Sequence, residues 1–357
     1  VNRKWAIGKF QSYGTDIRDI RGQNFNARYL DRAYLTELEW PIWKAIADSM
    51  RHELSDATIE RAIHLLPPPA FALMGARVIE GLKARRDGLE RIARRHYEVL
   101  ARNVDVVGTD GDEFFEVKRL NREETEVNVY DREKGKKVKG RRYFHRVFHR
   151  DETREIRIYG QEGNDEYRLE GDVRKGIRVR IVGGTEKDKI QDSSRVAGLS
   201  HKTIVYETGF GDKSNKLQLG REARLVRSQR ADALDYEREE YVQDILMPLV
   251  SIGANPDDGL FLGGGFRLVK QGFKVTPFKW RHQVLASYAL KTGAYRLTYK
   301  GRVNQAFGRN DLGLDAGLFA PDHNFNFFGF GNRTERPSDV KLFRYRLDMI
   351  DVKPYVE

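Results

Sequence analysis

The chain has 357 residues, with 64 Lys+Arg against 53 Asp+Glu, a net charge of +11 and no cysteine. Without cysteine there is no disulfide scaffold, thiolate metal site or cysteine nucleophile, and 19 Phe, 16 Tyr and 4 Trp argue against a disordered chain. A mean hydropathy of -0.65 argues against membrane-spanning helices but not against a transmembrane β-barrel, whose strands alternate lipid-facing and lumen-facing residues.

Val1 stands where an initiator Met would, and MIDVKPYVE stops within strand-like alternation. The chain therefore reads as an internal fragment of a longer protein. Residues 1–102 read as helical. Leu30, Tyr34 and Leu38 form one apolar stripe, and Pro41 restarts a helix carrying Ile42, Ile46 and Met50. Ser55 is placed to cap the next helix, which holds Ile59, Ala62, Ile63 and Leu66 and stops at Pro67-Pro68-Pro69. A long amphipathic helix then turns Leu89, Ile92, Ala93, His96, Tyr97 and Leu100 inward. Its other face carries Arg85, Arg86, Arg91, Arg94 and Arg95, with Glu90 and Glu98 interleaved. Interleaved acids weaken a phosphate-tracking stripe, so a solvated helix face is favoured over a nucleic-acid site. His52, His64 and His96 are isolated and read as structural.

Residues 103–230 read as β-rich, with short alternating runs separated by Gly and Asp. Ile156–Tyr167 aligns without gaps on Val179–Ile190, an offset of 23 residues, and a weaker third copy starts at Thr203-Ile204-Val205. A repeat of this size predicts a β-solenoid-like segment, one coil per copy. Each copy ends near the G-G-x-G-x-D pattern of calcium-binding rolls, which makes Asn164, Asp165 and Asp188 candidate calcium ligands. Gln161 and Glu186 replace expected glycines, and Lys187 and Lys189 flank Asp188. Ordinary Gly/Asn/Asp turns account for the pattern as well. His145 and His149 share one strand face, a conceivable zinc pair without an evident third ligand.

Residues 231–357 alternate with period two. Tyr295, Leu297, Tyr299, Gly301 and Val303 interleave with Arg296, Thr298, Lys300, Arg302 and Asn304. Leu312, Leu314, Ala316, Leu318 and Ala320 interleave with Asp311, Gly313, Asp315, Gly317 and Phe319. Val284, Ala286, Tyr288 and Leu290 form a third such series, and Phe343, Tyr345, Leu347 and Met349 a fourth. The runs are long enough for tilted strands to cross a bilayer. The turn Asn255, Pro256, Asp257, Asp258, Gly259 joins the first two strands. Thr292–Ala294 and Gly308–Asn310 join later ones, and a long loop over Pro321–Ser338 joins the last two. About six strands are expected, fewer than a closed single-chain barrel needs. The predicted fold class is thus multidomain, α then β: a helical segment, a solenoid-like segment, then antiparallel strands of an incomplete transmembrane β-barrel.

PLVSIGANPDDGLFLGGGF and the FNFFGFGNRTE loop resemble the start of a BamA/TamA-type (bacterial surface antigen) outer-membrane barrel of the kind attached to large Bacteroidota proteins. FQSYGTDIRDIRGQNFNARYLDRAYLTELEW, VDVVGTDGDEFFEV and TREIRIYGQEGNDEY look like the stretch between that barrel and an upstream metallophosphoesterase or CotH/HipA-like kinase region. The resemblance implies an outer-membrane protein of a Gram-negative bacterium, with residues 1–230 periplasmic and a role in anchoring, secretion or translocation. The alternative it implies is an accessory part of a phosphoryl-transfer or phosphoesterase enzyme whose catalytic residues lie upstream. Asp31-Arg32 lacks the pattern of a kinase catalytic loop, so no catalytic or cofactor-binding residue is carried over. The expected partners are the outer-membrane bilayer and other envelope proteins, not nucleic acid.

Overall fold

The computed structural model describes residues 11–132, 139–184, 186–198, 201–208, 216–228, 235–255, 258–331 and 343–357. The chain divides into two compact units, Val1–Tyr241 and Val242–Glu357.

The first unit opens with helices α1 (Ile20–Gln23), α2 (Arg28–Tyr34), α3 (Trp40–Glu53), α4 (Asp56–Ile63), α5 (Pro68–Asp87) and α6 (Leu89–Ala101). Asp19 caps α1 by accepting from the amides of Arg21 and Gly22, and Ser55 Oγ caps α4 by accepting from Thr58 N. The Pro67–Pro69 run ends one helix and begins the next: Pro67 is the N-cap of α5, and Pro68 and Pro69 occupy its first turn, where a missing N–H costs nothing. The long helix expected to lead up to residue 100 is two helices, broken at Gly88. On α3, Trp40, Trp43 and Ala47 turn inward. Trp43 meets His96 edge-on at 5.5 Å, and Trp40 lies 5.7 Å from Tyr97. Ile42, Ile46 and Met50 are consequently on the exposed side, as are Leu30 and Tyr34 of α2. Both stripes fit a 3.6-residue period, and the aromatic one covers more area.

The arginines of α5 and α6 are largely engaged within the chain. Arg95 donates to Ile17 O and Arg18 O at 2.7 Å each, Arg85 Nε donates to Gly14 O at 2.8 Å, and Arg91 pairs with Asp16 at 3.0 Å. They hold the extended segment that precedes α1.

The β part of this unit contains two main sheets. One is wholly parallel and runs β1 (Asn103–Val107), β5 (Glu155–Tyr159), β8 (Arg178–Val182), β11 (Thr203–Thr208), β13 (Ala223–Ser228). The other runs β12 (Lys216–Leu219), β9 (Lys189–Asp192), β6 (Glu166–Glu170), β2 (Asp112–Arg119), β3 (Glu124–Arg132), β4 (Arg142–His149). Its first four strands are parallel and its last two form an antiparallel extension. A parallel pair, β7 (Asp172–Val173) with β10 (Arg195–Val196), makes a third small sheet. The chain alternates between the two main sheets. Ile156 pairs with Val179 and Glu166 with Lys189, so the ladder register equals the 23-residue repeat. Thr203 pairs with Val179, placing the third copy one step on. Val104, Ile156, Ile158, Val179, Ile181 and Val205 from the first sheet face Phe115, Val117, Tyr167, Leu169 and Ile190 from the second. Phe115 and Tyr167 stack at 4.8 Å.

Helices and strands of this unit interlock through polar groups. Val147 N donates to Glu39 Oε1 at 3.0 Å, Arg146 donates to Tyr97 Oη at 3.2 Å, and Tyr97 Oη donates to Glu152 at 2.5 Å. Arg32 donates to Asn103 O at 2.9 Å and stacks 3.4 Å from the Tyr241 ring.

The second unit is one antiparallel sheet in chain order: β14 (Ile245–Asn255), β15 (Gly259–Gly272), β16 (Val275–Ala289), β17 (Tyr295–Phe307), β18 (Asn310–Asn326) and β19 (Arg344–Val356). The strands are 11 to 17 residues long. Within the described part of the first expected turn, Asn255 pairs with Gly259 and Asp258 is buried beside Thr292, which donates to it at 3.2 Å. Pro256 and Asp257 lie outside the described residues. The last loop begins later than expected. Pro321 belongs to β18, which runs on to Asn326 past a register shift between Phe319 and His323. Residues 332–342 lie outside the described residues.

Candidate functional site

Cross-strand pairing collects the alternating residues of the second unit into two chemically distinct faces. On one, Val250–Gly264–Ala286–Leu297–Leu318–Ile350 and Ile252–Leu262–Tyr288–Tyr295–Ala320 form continuous rows. Neighbouring rows carry Phe266, Val284, Tyr299, Ala316 and Val352, then Leu314 with Pro354 and Leu312 with Val356. This face lies open: Leu246, Ile252 and Ile350 keep 71%, 72% and 77% of their surface exposed. Monomeric soluble proteins rarely leave so large a contiguous apolar surface uncovered. In β19 the apolar phase is even-numbered, since Ile350 pairs with Leu318 and Val352 with Ala316. The odd series ending at Met349 falls on the other face; adjacent apolar residues Met349 and Ile350 mark the change of phase.

The opposite face carries Arg267, Gln283, Arg296, Thr298, Lys300, Arg302, Asp311, Asp315, Asp351 and Lys353. Arg302 bridges Asp311 and Glu357 at 2.7 and 2.8 Å, Arg267 donates to Gln283 at 2.9 Å, and Arg296 lies over the Phe319 ring. Gly263 and Gly265 belong to this face, where a Cβ would collide with the carbonyls of Ala286 and Val284. The connections also differ by end. Residues 273–274 and 308–309 make two-residue turns at one end; the other end has the longer connections 256–258, 290–294 and 327–343.

In the first unit, the structure brings two of the three calcium candidates together. Asp165 and Asp188 are 1% and 2% exposed, and Asn164 is exposed, its amide donating to Asp112. The two aspartates are joined in a column by Glu113, itself 1% exposed. Each aspartate accepts the amide of the acid before it in the column: Glu113 N donates to Asp165 Oδ1 at 2.8 Å, and Asp165 N to Asp188 Oδ1 at 3.1 Å. Tyr167 Oη donates to Asp165 Oδ2 at 3.0 Å, and Thr109 Oγ1 donates to Glu113. A glycine five residues upstream of each acid makes room for it. A Cβ at Gly160 would collide with Asp165, one at Gly183 with Asp188, and one at Gly108 would lie 2.9 Å from Glu113 Oε2. The glycine-and-aspartate pattern thus follows from the packing of inward carboxyl groups. Burial, reinforced by the charges of Asp188 and Glu113, pushes Asp165 up to about 9; burial, with Glu186 nearby, pushes Asp188 up to about 8. Burial also raises Glu113.

Glu113 is not visible in the repeat, because the β3–β4 extension lengthens the interval between the paired strands there to 52 residues. His145 and His149 share a face of β4 and sit beside Glu126 and Glu124 at 3.2 and 3.7 Å. Among the described residues no group of three or more His, Asp or Glu is disposed to hold a metal ion. Among them, too, no helix is long and apolar enough to cross a membrane, which says nothing of strands.

Searched against protein-family models, curated proteins and solved structures, the chain matches none.

Proposed function

We propose that the second unit is a run of six consecutive strands of a transmembrane β-barrel, in a protein of a Gram-negative outer membrane that anchors, secretes or translocates. The observation that carries this reading is the uncovered apolar face across six antiparallel strands, backed by a charged opposite face. Strands of 11 to 17 residues meet or exceed the roughly 9–11 that a tilted strand needs to cross a bilayer. Tyr288 and Tyr295 pair near one end of the apolar face and Trp280 lies near the other, as interfacial aromatic girdles do. Two-residue turns at one end and longer loops at the other agree with short periplasmic turns and longer outer loops. On this reading the bilayer is the partner, and the Arg302–Asp311–Glu357 cluster faces the lumen.

The parallel coils of residues 103–228 form a short β-solenoid in the same proposal, and the first unit lies in the periplasm. The likeness to BamA/TamA-type barrels adds to the reading without assigning a cargo. The test is membrane fractionation of the full chain with an electrophoretic heat-modifiability assay. The expected result is an outer-membrane protein whose unboiled band migrates faster than the boiled one. A soluble protein with a single band under both conditions overturns the proposal.

A further inference from the structure

One edge of the parallel-strand stack gathers more cations than acids: Arg119, Arg150, Arg178 and Lys202. Arg178 on β8 pairs with Glu155 on β5 in the ladder register. Val179 N donates to Lys202 O at 2.7 Å and Val179 pairs with Thr203, so Lys202 lies beside Arg178 on the next coil. Side chains that neighbour one another across parallel strands leave the same face about 5 Å apart, where like charges repel. Glu155 relieves this pair only in part. It is already shared by Arg157 at 2.8 Å and Arg180 at 3.0 Å, and reaches Arg178 only at 3.5 Å.

Two further cations reinforce the field. The buried Arg119, partly balanced by the charge of Asp192, donates to Ile177 O at 2.8 Å and to Thr203 Oγ1 at 3.2 Å, directly beneath the backbone of Arg178 and Lys202. Arg150 lies at the same edge, with its own acid, Glu123, held in a two-point contact at 2.9 and 3.1 Å. Among the described residues no carboxylate lies within ion-pair distance of Lys202, and Arg178 Nε is buried without an acceptor. Burial and the charges of Arg178, Arg119 and Arg150 together hold the Lys202 ammonium below the usual lysine range.

We propose that Arg178 and Lys202, backed by Arg119 and Arg150, form a binding site for a phosphate-type oxyanion. The guanidinium supplies a planar fork for two oxygens and the ammonium a point charge. The bound anion provides the counter-charge that Lys202 lacks and that Arg178 has only in part. A free phosphate ester and a phospholipid headgroup share that chemistry.

The test is the rate of reductive methylation of Lys202 in the full-length chain in maltoside micelles, read by peptide mass spectrometry. Without phosphate, Lys202 is expected to react faster than the exposed lysines, because more of it is deprotonated. Inorganic phosphate, compared with chloride at equal ionic strength, is expected to slow it several-fold. Protection by phosphatidylglycerol in the micelles but not by inorganic phosphate assigns the site to a headgroup; absence of protection by either overturns the proposal. Arg178→Gln is expected to abolish the protection; protection that persists in this variant also overturns it. Lys202→Gln is expected to raise the thermal midpoint in chloride by removing repulsion and to abolish any further rise with phosphate. A lower midpoint in chloride means that Lys202 is already neutralised within the fold, which again rules out the site.

Discussion

Burial raises Asp165 and Asp188 in the folded chain, so each holds its proton to higher pH there than in the unfolded chain. Their folded values, about 9 and 8, lie far above the usual 3.8. The folded state therefore binds more protons than the unfolded state between about pH 4 and pH 9, and stability falls as pH rises through that window. Below it both states are protonated and the contribution is fully present. Asn mimics the protonated carboxyl, so Asp165→Asn and Asp188→Asn should each flatten the loss of stability between pH 5 and pH 8, followed by urea unfolding. An equally steep decline in both variants would mean that other groups drive it. Backbone constraint at the same turns is separable. Gly184 has φ +103, and a Cβ there would run into Gln161 O. Gly184→Ala should cost about 2 kcal/mol or more, read from the same unfolding experiment. Gln161 occupies the equivalent place in the preceding copy at φ 69, held by its own donation to Gly108 O at 2.6 Å. A side chain is tolerated there because it brings a hydrogen bond with it.

Among the elements, α6 explains why charge on a helix face is a poor guide to partners. Its arginines resemble a polyanion site in sequence, yet Arg91 and Arg95 fasten the segment before α1, and Arg94 pairs with Glu98 and Glu152. Carbonyl acceptors 77 or 78 residues away leave no trace in a local pattern. Arg95→Ala should loosen residues 14–19 by about 2 kcal/mol while α6 stays formed. Hydrogen exchange should show faster amides in that segment and unchanged ones in α6. The strands were more legible. A 23-residue repeat became ladder register because parallel strands that pair residue for residue must repeat in step, and period-two alternation became two faces because strand side chains alternate. What failed did so for physical reasons. Two stripes on α3 fit one helical period, and only packing selects Trp40 and Trp43 over Ile42 and Ile46. Glu113 was missed because an antiparallel extension interrupts the repeat there, and Met349 because its neighbour Ile350 is equally apolar.

For the whole molecule, the proposed barrel stands or falls on whether the apolar side of the second sheet faces lipid. Leu297 sits on a central strand between Ala286 and Leu318, on the open apolar face; Thr298, the next residue, points to the charged face. An arginine at a lipid-facing position near the bilayer midplane costs about 2–4 kcal/mol, whereas lumen positions tolerate charge. Leu297→Arg should therefore lower the fraction of heat-modifiable, membrane-inserted protein, and Thr298→Arg should leave it near wild type. The asymmetry is the informative quantity, because both variants add the same side chain to the same strand. A soluble sheet covered by another protein would also resist Leu297→Arg, but its folding would not depend on detergent or lipid. Refolding from urea into phospholipid vesicles and into buffer alone separates the two. Recovery of the β-sheet circular dichroism only with vesicles, and its loss in Leu297→Arg alone, is the outcome that an apolar face directed at lipid requires. Equal recovery in buffer would assign that face to a protein partner.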